Sequence, residues 1–413
     1  MLDDSTAHYR EIVEDAARLM SMRFKAPVHF SKVIQLSEPD RRNLILRLEI
    51  NSPTNEMPRT VILKKNATEK QIFDRGENET EVEQFSRFAH DWAGIEFLTQ
   101  VGNHHAPLFY AGSIEHKFII LEDLGLAHPS LVGPLTRAPS AANLQEAKTA
   151  LIAYVRRLGK MHADTAGKYD QFTAILKRIY PEALRFNYLP EKDGEIVLGQ
   201  LKKIIGHDSK ELTEEIHAIL EFSQLKNEFT VFLHGDICPD NVYYQNNEMR
   251  FIDFEFGDFG NALVDGVYLR MSMPSCWCSK AVPALIVKEM DKVYRNELKA
   301  GILSASDDAI YNKQLAYASA YWLVRTIKQI VDMDLIDHEW ICPSGPVDSD
   351  SKWEPEKNAF RPRIISRLGA FIACSKEAGY LPKFREAAMQ LQSCLLRVWP
   401  GIHEIDLFPV FQS

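Results

Sequence analysis

The chain has 413 residues, 46% of them hydrophobic and 25% charged, with a net charge of −9. That composition supplies ample core material for a soluble globular protein, and an acidic balance without a long basic run argues against nucleic acid as a main partner. No apolar run approaches the roughly 20 residues needed to cross a bilayer, so no membrane role is expected. Asp3, Asp4, Glu11 and Glu14 interrupt the apolar residues at the N-terminus, which therefore does not read as a signal peptide. The six cysteines, Cys238, Cys276, Cys278, Cys342, Cys374 and Cys394, show no CxxC pair or Cys/His cluster with zinc spacing. They read as reduced thiols, and the expected location is cytoplasmic.

In chain order, residues 5–22 place Ile12, Val13, Ala16, Leu19 and Met20 at helical spacing. Val28–Leu36, Leu44–Ile50 and Arg59–Lys64 are strand-like, and three successive strands predict an antiparallel meander. A helix follows around Glu77–Val101. Phe118–Leu121 is an apolar strand ending in the acidic, glycine-terminated turn Glu122-Asp123-Leu124-Gly125. From about 126 the pattern turns helical, with Leu144, Ala147, Leu151, Val155, Leu158 and His162 on one stripe. Further helices are expected near 194–204, 211–225, 282–299, 307–334, 360–378 and 383–398. Cys342–Asn358, rich in Pro, Gly, Ser and Asp, reads as a loop. Between Asp332 and Glu356, acids recur beside Trp340 and Trp353. Carboxylates beside indoles can hold an amine, although a solvated loop with packed tryptophans is the plainer reading.

The most informative stretch is Val231–Asp258, VFLHGDICPDNVYYQNNEMRFIDFEFGD. Asn246-Asn247, between two strand-like runs, reads as a tight hairpin turn. Folding about it brings Asp236, Asn241 and Asp253 to one end of a ribbon. Hard oxygen ligands of this kind suit Mg²⁺, which takes one or two carboxylates and completes its shell with water and phosphates. A carboxylate beside a metal–phosphate site can orient an incoming hydroxyl.

His234-Gly235-Asp236, Asn241 and Ile252-Asp253-Phe254-Glu255 together resemble the signature of the aminoglycoside phosphotransferase and choline kinase family. The resemblance covers about 28–270. It implies an α+β, protein-kinase-like bilobal fold with a small antiparallel-sheet lobe (1–121), a hinge (122–125) and a large, mainly helical lobe (126–413). It implies ATP and Mg²⁺ as cofactors and transfer of the γ-phosphate to a small hydroxylated acceptor, which could be cationic, by a monomer or homodimer. On this resemblance Asp236 orients the acceptor hydroxyl, Asn241 and Asp253 hold metal, and Lys64 holds the nucleotide phosphates. Lys65 is the alternative to Lys64, one register slip away. Asp91 takes the acidic position opposite Lys64, where glutamate is more usual, and Glu81, Glu83 and Glu96 stay open. The backbones of Glu122 and Leu124 would meet the adenine edge. His162 is read as structural and Asp265 as a loop brace. The glycine-free stretch 37–43, where Arg41 or Arg42 could replace small residues over the phosphates, departs from the family pattern. That departure and Asp91 leave a nucleotide-binding regulatory protein as the rival reading.

Overall fold

A computed structural model describes residues 9–38, 43–66, 80–125, 129–206, 208–224, 226–245 and 248–412. Arg41 and Arg42, Glu77 and the Asn246-Asn247 turn lie outside the described residues. The chain forms two compact units, one of Met1–His128, Asp170–Leu184 and Arg250–Phe256, the other of the remainder.

In the first unit, α1 (Arg10–Phe24) buries Ile12, Val13, Ala16 and Met20 along one stripe. It stops at Lys25, which adopts a left-handed φ of 52°. β1 (Phe30–Gln35), β2 (Asn43–Ile50) and β3 (Thr60–Asn66) form the expected meander. β4 (Phe109–Ser113) and β5 (Phe118–Glu122) complete an antiparallel sheet of order β1-β2-β3-β5-β4. Side chains alternate along a strand. Val61 and Leu63 of β3 therefore join Leu46, Leu48, Phe118 and Ile120 against α1, and Lys64 points to the other face.

Helix α2 (Glu81–Val101) starts where Thr80 and Glu83 form a capping box. Thr80 Oγ1 accepts from the Glu83 N–H at 3.2 Å, and Glu83 Oε2 accepts from the Thr80 N–H at 2.8 Å. The helix is buried on most sides. Gly112 of β4 lies against the Trp92 ring, where a Cβ would come within 2.6 Å of it. Residues 170–184 belong to this unit because Tyr180 packs edge-on to Phe85 at 4.7 Å and Arg178 pairs with Glu96 at 2.7 Å.

The second unit is mainly helical. Ala141–Thr165 packs on Ala284–Leu298. Asp308–Asp332 packs on Phe360–Ala378, which in turn packs on Pro382–Val398. These helices and Glu191–Ile205 and Lys210–Gln224 match the periodicity closely. A short strand, Thr230–Leu233, pairs antiparallel with Asp258–Asn261. It delivers the loop that begins at His234. The α+β class expected from the sequence is the one observed.

Removing the Thr80 hydroxyl takes a partner from the first turn of α2, so Thr80→Ala should lower stability by about 1 kcal/mol in urea titration. Leu48→Ala should cost about 2–5 kcal/mol, because Leu48 is fully enclosed between sheet and helix.

Candidate active site

Lys64 sits in the middle of β3, paired across the sheet with Ile45 and Ile119. Its Nζ lies 2.7 Å from Asp91 Oδ2 and 2.5 Å from Asp253 Oδ1. Lys65, one residue on, instead donates to the His116 carbonyl at 3.0 Å. Lys64, and not Lys65, is the lysine that meets these two carboxylates. Of the other acids considered, Glu83 is held by Thr80, and Glu96 by Trp92 and Arg178.

Asp253 adopts a φ of 68°, a left-handed conformation that costs a non-glycine residue energy. The next amide, of Phe254, donates to Asp91 Oδ1 at 2.8 Å. Asp91 therefore fixes both the ammonium and the turn that carries Asp253. Burial alone would lower the Lys64 pKa, but the Asp253 and Asp91 carboxylates outweigh it and hold the ammonium charged. Burial pushes the Asp91 carboxyl up against the pull of Lys64, and Asp253 adds to the rise. One cation thus faces two carboxylates. The 31% exposed Asp253 carboxylate is a hard oxygen donor of the kind that suits a divalent cation. Lys64 and Asp91 also line a small hollow with Asn43, Asn66, Arg87 and Glu255.

In the second unit the His234–Asn241 loop is held largely through its own backbone. Gly235 takes a φ of 79°, which glycine allows without strain. Asp265 accepts from the His234 N–H at 2.7 Å and the Gly235 N–H at 3.4 Å. Tyr154 donates to the Ile237 carbonyl at 2.7 Å. Asn241 Nδ2 donates to the Asp236 carbonyl at 2.9 Å, which leaves the amide oxygen of Asn241 for another partner. His162 is fully buried against Tyr294, with Nδ1 2.8 Å from the phenol oxygen, in the structural place expected of it.

A second segment, missed in the sequence, grips this loop at alternate residues. Ser275 Oγ donates to Asp236 Oδ1 at 2.7 Å, Cys276 is disulfide-bonded to Cys238, and Trp277 Nε1 donates to Asp240 Oδ2 at 2.7 Å. The reading of all six cysteines as reduced thiols is thus corrected. The Cα atoms of Cys238 and Cys276 are 5.3 Å apart, within disulfide reach, although 38 residues separate them in sequence. Cys278, the other thiol beside the pair, is pushed up by burial and by the Asp240 carboxylate. Cys238, Asp240 and Cys276 bring their ligand atoms together, but the disulfide takes both sulfurs.

At the turn after β5, the Glu122 N–H is bound to the Leu108 carbonyl at 2.8 Å, so only the carbonyl half of its expected backbone contact is open. Its carboxylate takes Arg250 Nη1 at 2.5 Å. Leu124 is half-buried. Burial would raise the Asp123 carboxyl, but hydrogen bonds from Thr60, the Gly125 N–H and Arg47 hold it below the usual carboxylate range.

The acids between Asp332 and Glu356 form no cage for a cationic acceptor. Asp332 pairs with Lys328, Asp348 and Asp350 with Arg137, Glu339 with Arg361 and Glu354 with Lys357. Trp353 packs edge-on to Trp277 at 5.4 Å, with Lys280 over its ring.

A model of the phosphotransferase enzyme family matches residues 31–289. No curated protein matches the chain. Solved structures with a similar chain path include a choline/ethanolamine kinase family protein from Mesorhizobium loti. It is 12% identical, with 92% of this chain and 98% of that chain covered and a TM-score of 0.42. A choline kinase from Cryptosporidium parvum Iowa II is 14% identical over 88% of this chain and 93% of that chain, also at 0.42. Amicoumacin kinase, solved with AMP-PNP, Ca²⁺ and Ami, is 14% identical over 94% and 97% of the two chains, again at 0.42.

Lys64→Met leaves two carboxylates facing each other around an apolar side chain and should cost about 3–5 kcal/mol in urea titration. Asp123 gives a pH signature. Its folded pKa is depressed, so its contribution is present above the unfolded value of about 4 and is lost as pH falls through the folded value. The stability gap between the wild type and Asp123→Asn should therefore be open at neutral pH and narrow progressively below pH of about 4.

Proposed function

Because the chain belongs to the phosphotransferase enzyme family, we propose that it moves the γ-phosphoryl group of ATP to a hydroxyl of a small molecule. The observation that supports this most is the Asp236 carboxylate, which sits in a loop fixed by Asp265, Tyr154 and Asn241 and already accepts a hydroxyl hydrogen bond at 2.7 Å. A protein that only bound nucleotide would use the Lys64 cluster and have no need of a hydroxyl-orienting carboxylate.

Lys64, held by Asp91, binds the α- and β-phosphates. The Glu122 carbonyl and the Leu124 amide recognise the base edge, within a hinge at 122–125. Asp253 and the Asn241 amide oxygen are the metal ligands. Both are hard oxygen donors of the kind Mg²⁺ takes, and that ion, when bound, neutralises phosphate charge. Asp236 accepts the hydrogen bond of the acceptor hydroxyl and aims it at the γ-phosphorus. Phosphoryl transfer passes through a loose transition state, so positioning matters more than the basicity of Asp236.

Asp236→Ala should lower Mg²⁺-dependent ADP release by about 10²-fold or more across a panel of hydroxylated acceptors. Calorimetry should find its MgATP affinity unchanged, and full turnover in this variant ends the proposal. Asp253→Ala should weaken MgATP binding severalfold; equal affinity would remove Asp253 from the metal site.

A further inference from the structure

Ser275 stands where an acceptor would. The residue is solvent-exposed, and its hydroxyl donates to Asp236 Oδ1 at 2.7 Å. Tyr268 Oη lies 2.9 Å away. Burial, reinforced by the Asp236 charge, pushes the Tyr268 phenol well up, so it stays protonated. The Ser275 proton lies toward Asp236, and the Tyr268 phenol, which also approaches Cys238 Sγ at 3.6 Å, flanks the same hydroxyl. Asp236 is itself oriented by Asn241, which donates to its carbonyl at 2.9 Å and approaches Oδ2 at 3.4 Å. Nucleophile, base and orienting group within hydrogen-bond reach are the arrangement of an activated hydroxyl.

The segment carrying Ser275 is held by several contacts. Arg367 Nη2 donates to the Pro274 carbonyl at 2.9 Å, and Arg363 donates to the Cys276 and Trp277 carbonyls at 2.9 and 2.8 Å. The Cys238–Cys276 disulfide and the Trp277–Asp240 bond fix it to the loop on the next two residues. Ser275 is therefore a pre-positioned hydroxyl on the same base that the phosphotransferase reading assigns to the acceptor.

We propose that Ser275 is an intrachain phosphoryl acceptor, modified by the protein's own activity when no small-molecule acceptor is bound. The inference rests on the phosphotransferase reading. Ser275 Oγ forms a bond to the γ-phosphorus of ATP as the bond from that phosphorus to the β-γ bridging oxygen breaks. ADP leaves, and the Oγ proton passes to Asp236 and on to solvent. The product places a phosphate, carrying about −1.5 to −2 charge, beside the Asp236 carboxylate, which disfavours acceptor binding there.

The test is incubation of the full chain with MgATP and no acceptor, followed by intact mass and peptide mapping, beside a calorimetric MgATP titration. The expected result is one phosphoryl group on Ser275, added at a rate independent of protein concentration. Ser275→Ala should be unlabelled at that position, and Ser275→Thr should regain the label. Asp236→Ala should be labelled about 10²-fold more slowly or less. No phosphate on Ser275 in a protein that binds MgATP through Lys64, shown by loss of affinity in Lys64→Met, overturns the proposal and leaves the phosphotransferase reading standing. Labelling in proportion to protein concentration overturns the intrachain step. Absence of MgATP binding overturns both.

Discussion

One buried ammonium organises the first unit. Lys64 lies between Asp91 and Asp253, two carboxylates drawn from segments far apart in sequence. Taking a lysine out of water is costly unless it is paired. The meander, α2 and the Arg250–Phe256 segment must all be in place to satisfy it. Asp91 does double service, because its other oxygen accepts from the Phe254 N–H and so holds the strained turn at Asp253.

The loop in the second unit is fixed by a different device. The carboxylate of Asp265 collects two successive backbone N–H groups, and Tyr154 and Asn241 hold loop carbonyls. The Ser275–Trp277 segment closes over the loop, and two arginines behind it bind backbone carbonyls rather than carboxylates. Burial and the nearby Arg363 push Arg367 down to about 9. Both guanidiniums act as rigid donor forks for a stretch of chain without regular secondary structure.

Much of this was legible in the sequence. Long helices such as Asp308–Asp332 and Phe360–Ala378 have an apolar stripe that repeats over several turns, and their ends fall close to the expected ones. The meander was legible from alternation. The helix Tyr169–Ile179 was missed, since Phe172, Ile175 and Ile179 give only a three-residue stripe. The acids around Trp340 and Trp353 left a cation cage open beside the plainer reading of a solvated loop. Asp332, Glu339, Asp348, Asp350 and Glu354 each pair with a basic side chain that the sequence pattern does not single out.

By itself the sequence determined most of the element types, the antiparallel meander and the family motif of the loop, because periodicity and short motifs are local properties of the chain. Only the tertiary structure decided that Lys64 rather than Lys65 meets Asp91, since a strand's facing depends on which side the core of α1 covers. Only it brought Ser275, Cys276 and Trp277 onto Asp236, Cys238 and Asp240, residues 37 to 39 positions away. Contacts of that kind leave no periodic trace. They arise when distant backbone segments are packed side by side and their polar groups must find partners.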